Sequence, residues 1–188
     1  TAIKISAHMD LTKKLYPNLE NLINAIDKKA VSVRGIIKTG RTHLMDAMPV
    51  DLADELSAWS SQLKTSLKSL KFIEARLLEL PQGGTAVGTG INAHKRFAKV
   101  FAQEISKLSG NKYKSVASDN FFHDLSSQDT AVQLSGELKN LAVALMKISN
   151  DLRWMNSGPL AGLSEIELQA LQPGSSIMPG KVNPVIPE

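Results

Sequence analysis

The chain has 188 residues, enough for one sizeable domain with its own core. Its net charge of +4 comes from basic residues scattered along the chain, and with aromatics at 5% it offers no basic face interleaved with rings for nucleic acid to bind. No apolar run nears the roughly 18 residues of a membrane span, and the absence of Cys excludes a disulfide scaffold and a thiolate metal site.

Taken in chain order, the apolar positions Leu11, Leu15, Leu19, Leu22, Ile26, Ala30 and Val33 recur every three or four residues and predict an amphipathic helix from Ile5 to Val33. Pro17 lies inside it and should kink it or remove a hydrogen bond. From Gly35 to Pro49 the period breaks, which reads as a loop. A second helix runs from about Val50 to Leu80 on the stripe Leu52, Leu56, Trp59, Leu63, Leu67, Leu70, Ile73 and Leu77, ended by Pro81 and Gly83-Gly84. The glycine-rich run Gly84 to Asn92 reads as a tight crossover. Its spacing is wrong for a dinucleotide fingerprint and it follows a helix; Thr85, Thr89 and Asn92 are its candidate substrate-side contacts. A shorter helix is expected from Ala93 to Leu108, stopped at Ser109-Gly110-Asn111. Lys112 to Asp124 reads as loop. The cleanest stripe follows, Ala131, Leu134, Leu138, Leu141, Leu145, Ile148, Leu152 and Met155, closed by Asn156-Ser157-Gly158-Pro159. Leu160 to Pro173 is a connector. Three long stripes with little β alternation predict an all-α, long-helix bundle. Helices well beyond the usual ~11–12 residues favour an oligomer whose core is built from several chains over the alternative, a monomeric bundle.

The chemistry concentrates in Gly174-Ser175-Ser176-Ile177-Met178-Pro179-Gly180-Lys181-Val182-Asn183-Pro184. It is not a phosphate-binding P-loop: five residues separate its glycines, Val182 follows Lys181, and no strand precedes it. Backbone N–H groups, a lysine and an asparagine amide do suit a carboxylate that gains negative charge when a neighbouring carbon loses a proton. A serine among such donors is a candidate general base. The same composition also suits a plain glycine-rich linker, and composition alone does not choose. Gly40-Arg41-Thr42-His43 is the second candidate, since imidazole titrates near neutral pH; a lone loop histidine is otherwise a surface residue. His8, His94 and His123 read as surface or packing residues. Four scattered histidines form no metal set.

Together these segments resemble the fumarase/aspartase superfamily. The carrying motifs are the 174–184 loop, Gly40-Arg41-Thr42-His43-Leu44, Gly84 to Asn92 and Ser157-Gly158-Pro159, in the superfamily's order and over effectively the whole chain. Gly83-Gly84-Thr85, Arg153-Trp154-Met155 and His43 look most like class II fumarases. Aspartate ammonia-lyases share most of the pattern, including the Val185-Ile186-Pro187-Glu188 ending.

The resemblance implies residues 1–188 to be the central helical domain of a homotetramer whose active sites each draw on three subunits. It implies reversible hydration of fumarate to L-malate, without metal or organic cofactor, and no nucleic-acid or membrane partner. The compartment expected is the cytoplasm, or the mitochondrion in a eukaryote. Ser175 is similar to the base that removes the carbon-bound proton. Ser176, Lys181, Val182, Asn183 and Thr42 are similar to substrate ligands. His43 is similar to the residue that handles the departing water, with Glu188 as its charge partner. Leu52-Ala53-Asp54-Glu55 departs from the superfamily's Leu-Gly-Gln-Glu, with a surface or packing effect expected. A Ser-Ser-Asn stretch that the superfamily carries upstream is absent, so the chain reads as part of a longer polypeptide, inactive by itself. The rival readings are an aspartate ammonia-lyase and a non-catalytic helical oligomerisation piece.

Overall fold

The computed structural model describes residues 1–110 and 112–188. Asn111, expected to help stop a helix, lies outside the described residues. Among the described residues six α-helices dominate: α1 (Ala2–Asp10), α2 (Tyr16–Ser32), α3 (Leu52–Leu77), α4 (Phe97–Leu108), α5 (Phe121–Ser126) and α6 (Asp129–Met155). Four short strands join them: β1 (Ile37–Thr42), β2 (Met45–Asp51), β3 (Glu79–Leu80) and β4 (Val116–Ala117). Among the described residues no helix is long and apolar enough to cross a membrane.

The fold is mostly helical, as the three stripes predict, and the corrections are local. The predicted first helix is helical from Ala2 to Ser32, but a π turn at Leu11–Leu15 separates α1 from α2. There the Tyr16 N–H reaches back five residues to the Leu11 carbonyl. Pro17 follows at once; the chain meets a residue without an N–H by widening the turn ahead of it. The loop expected over Gly35–Pro49 is instead an antiparallel hairpin, β1 on β2. The loop expected over Lys112–Asp124 contains β4, parallel to β3, and the first residues of α5. α4 begins at Phe97, four residues later than its period allowed, because turns run from Gly84 to Arg96. The Gly84 crossover itself is as tight as expected: the Gly84 carbonyl accepts from both Gly88 N (2.9 Å) and Gly90 N (3.0 Å).

The chain divides into two compact units, Thr1–Leu22 with Lys64–Lys139 and Ile23–Leu63 with Asn140–Glu188. In the first, Leu67, Leu70, Ile73 and Leu77 of α3 are buried, together with His8, Leu11, Tyr16 and Leu19. His8, read from sequence as surface or packing, is a packing residue. Its Nε2 lies 3.0 Å from Glu74 Oε1 and its ring meets Tyr113 edge-on at 4.8 Å. His94 and His123 are exposed.

In the second unit, Leu52, Leu56, Trp59 and Leu63 of α3 are buried, together with Leu141, Ala144, Ile148 and Met155 of α6. Trp59 Nε1 donates to Asp151 Oδ2 at 3.0 Å, fixing the one polar atom of a buried ring. Of the two positions that depart from the superfamily's pattern, Ala53 is fully buried and bears on packing, and Asp54 is exposed on the surface. Thr42, His43, the 174–184 loop and Glu188 lie in this second unit, whereas the candidate contacts Thr85, Thr89 and Asn92 lie in the first.

Candidate active site

The hairpin β1–β2 presents Thr42 and His43. Its register runs Ile37 to Asp51, Lys38 to Val50 and Thr39 to Pro49, then shifts so that Arg41 faces Asp46 and Thr42 faces Met45. The shift sets Ala47 and Met48 against the single residue Gly40, a β-bulge. Only glycine fits there: a Cβ on Gly40 would lie 2.5 Å from the Met48 carbonyl oxygen. The two-residue connection is His43-Leu44, with φ of 50° and 64°. Both residues take the left-handed conformation of a type I′ turn without the usual Asn or Gly. Left-handed residues with side chains cost of order 1–2 kcal/mol each and persist where the surroundings hold them. His43 therefore sits exposed at a constrained tip.

The base of the hairpin is tied down by charge. Lys38 Nζ lies 2.7 Å from Glu55 Oε2 and 2.5 Å from Glu165 Oε2, and Arg41 Nη1 donates to Glu165 Oε1. Arg41 Nε also faces Asp46 Oδ1 at 3.7 Å. The Lys38 and Glu165 side chains are 14% and 10% exposed, so water screens this pairing weakly. Burial pushes the Glu165 carboxyl up, but the bonds from Lys38 and Arg41 prevail and hold it below its ordinary value. Burial likewise pulls the Lys38 ammonium down, and its two carboxylates prevail and hold it above its ordinary value. At the other end, Asp51 accepts from Gly35 N (2.9 Å) and Ala53 N (2.8 Å), which holds its carboxyl low and caps α3.

The 174–184 loop closes on itself. Pro173 pairs with Val182 in an isolated antiparallel bridge, and Gly174 N donates to the Lys181 carbonyl at 2.7 Å. A Cβ on Gly174 would stand 2.7 Å from Asn183 Oδ1, so the glycine lets Asn183 lie flat against the start of the loop. Ser175, half-buried, accepts at Oγ from both Ile177 N and Met178 N, each at 3.2 Å. Ser176 and Lys181 are exposed, and Ile177 is 87% exposed. The apolar residues of the loop build no core. Val182 and Glu188 share the wall of an open recess of about 350 Å³ with Asn150, Arg153, Asn156 and Ser157.

One chain thus brings Ser175, Lys181, Val182 and Asn183 into one loop, with Glu188 just beyond it. Thr42 and His43 stand on a separate hairpin. Among the described residues no hydrogen bond or ion pair joins His43 to Ser175 or to Glu188. Sequence reasoning missed Lys38, Glu55 and Glu165. Arg41 and Glu165 lie 124 positions apart, and no periodicity or motif spacing links residues at that range.

A family model described as Lyase matches residues 1–188. The chain belongs to this lyase family. It is 57% identical over its whole length to fumarate hydratase class II 2 of Pseudomonas aeruginosa, covering 41% of that protein. It is 47% identical over 184 residues to the class II fumarate hydratase of Thermus thermophilus, covering 39% of it. Among solved structures, the class II fumarase of Schistosoma mansoni superposes with a TM-score of 0.91 at 40% identity, covering all of this chain and 42% of that one. A fumarate lyase:delta crystallin from Brucella melitensis bound to cobalt gives 0.86 at 41% identity, covering 98% of this chain and 39% of that one. The chain therefore spans about two fifths of the length of these lyase-family relatives.

Proposed function

We propose that the protein carrying this chain is a carbon–oxygen lyase that adds water reversibly to fumarate, giving L-malate, with Ser175 as the base. The supporting observation is the Ser175 hydroxyl, whose oxygen accepts two backbone N–H bonds. Donors aimed at that oxygen stabilise an alkoxide, the form needed to remove a proton from carbon.

In the dehydration direction, Ser175 Oγ takes the proton from the malate carbon next to a carboxylate. The electron pair left behind spreads into that carboxylate as a dianion. Lys181 supplies a positive charge and Asn183 an amide for it, with Ser176, Val182 and Thr42 as further substrate contacts. The hydroxyl group then leaves from the neighbouring carbon, taking a proton to depart as water and giving fumarate. His43 handles that proton, directly or through a bound water, and Glu188 steadies the imidazolium. The anion is met by side chains and amides throughout, so these steps call on no metal or organic cofactor.

His43 and Ser175 lie on different elements without a bond between them, which favours a site completed by companion chains. The solvent-facing stripe of α6 supports a homotetramer: Val143 (55%), Met146 (65%) and Trp154 (57%) are exposed on the face opposite Leu141, Ile148 and Met155. Apolar side chains in such a row are unusual unless another surface covers them. A cytoplasmic enzyme acting on small dicarboxylates completes the reading.

The test is an assay of the full-length protein with L-malate and with L-aspartate, followed by fumarate absorbance. Fumarate from malate alone is expected. Fumarate from aspartate alone would instead make the protein an ammonia-lyase. No fumarate from either would leave the helical oligomerisation role.

A further inference from the structure

We propose that Glu165 is a positioning residue for the His43 turn, acting through Arg41 and Lys38; the proposal rests on the reading above that Thr42 and His43 belong to the active site. The His43-Leu44 turn holds two left-handed residues with full side chains, so its shape depends on a frame outside the turn. Glu55 holds Lys38 and Asp46 faces Arg41, but one carboxylate bridges the two cations. Glu165 Oε1 takes Arg41, the residue before Thr42, and Glu165 Oε2 takes Lys38 three positions earlier on the same strand. The two contacts straddle the bulge opposite Gly40, where the hairpin is least constrained by its own ladder.

Glu165 is itself delivered with care. Past Met155, the Ser157-Gly158-Pro159 segment folds the connector back on the end of α6. Leu163 N donates to Ser157 Oγ (3.0 Å), Ser164 N to the Ser157 carbonyl (2.8 Å), and Glu165 N to the Met155 carbonyl (2.8 Å). Leu168 N then donates to Asn156 Oδ1 at 2.7 Å. Gly162 passes so close to Ser157 that a Cβ would lie 2.2 Å from its carbonyl carbon and oxygen. The end of α6 is thus built to place one acid under the hairpin. The Ser157-Gly158-Pro159 motif, which takes no part in the proposed chemistry, acquires a purpose: it carries Glu165 to the strand that carries His43.

The experiment compares wild type, Glu165→Gln, His43→Asn and the double variant in the full-length enzyme. Steady-state kinetics on malate are combined with hydrogen exchange of residues 37–51. Glu165→Gln should lower kcat roughly tenfold to a hundredfold while KM stays within about threefold. In the His43→Asn background the same substitution should change kcat less than about twofold, because the residue it positions is gone. Exchange across 37–51 should quicken in Glu165→Gln while that of the Gly174 amide stays unchanged. Equal kcat losses in both backgrounds, or unchanged hairpin exchange, would overturn the proposal. If Glu165→Gln fails to assemble, Arg41→Lys applies the same test, keeping the charge but losing the guanidinium geometry. A wild type inactive on malate would sink the hydratase reading, and the exchange measurement alone would then decide whether Glu165 holds the turn.

Discussion

A single methyl group at Gly174 should do disproportionate damage. It would press on Asn183 Oδ1 at 2.7 Å and on Asn183 N and the Lys181 carbonyl at 3.0 Å, the atoms that close the loop. Gly174→Ala is therefore expected to lower kcat/KM of the full-length enzyme about tenfold or more, with its unfolding midpoint little changed, as steady-state kinetics and a denaturant titration would record. Ser175 and Lys181 could be picked out as candidates because they fall within eleven consecutive residues with a chemical logic of their own. Glu165 could not. Its meaning depends on Lys38 and Arg41, which tertiary structure alone brings to it. The pH dependence of that cluster has a definite sign. Glu165 is held below its ordinary value of 4.5 in the folded chain, so its contribution is fully present above that value. It is lost as pH falls through the folded value. Protection of the 37–51 amides, corrected for intrinsic exchange, should thus hold from neutral pH down to the ordinary carboxylate range and fall away on acidification below it. Protection that rises on acidification would contradict the assignment.

Among the elements, α3 carries buried side chains along its whole length, from Leu52 to Leu77. Leu63 and Leu70 are completely buried on it, one in each compact unit. Leu63→Ala should cost roughly 2–5 kcal/mol, visible as a lower urea midpoint, without altering the chemistry of assembled enzyme. The long helices were readable because a three-four period sustained over more than about twenty residues is the mark of a helix with one buried face. In α6 the period named the right helix but overstated its buried face: Leu141, Ile148 and Met155 are buried, whereas Leu138 and Leu145 are 39% and 36% exposed. The hairpin escaped notice because its turn is His43-Leu44 rather than Asn-Gly, and because a bulge and Pro49 break its alternation. Its strands also expose Ile37, Met45 and Met48, so no inside-outside pattern marks them as a sheet.

For the whole molecule, the exposed apolar stripe of α6 and the placing of His43 and Ser175 on different elements both favour the proposed assembly. Met146→Glu should weaken that assembly, seen as a smaller species in sedimentation together with loss of activity on malate. The most direct measurement mixes two defective full-length variants, Ser175→Ala and His43→Asn, by co-expression or by reversible dissociation. If the hydroxyl loop and the histidine tip of one site come from different copies, some sites in a hybrid draw both elements from intact subunits. The account predicts that the hybrid regains a substantial share of wild-type turnover although each parent is nearly inactive. Hybrids no more active than their parents, with mixed subunits demonstrated, would contradict it.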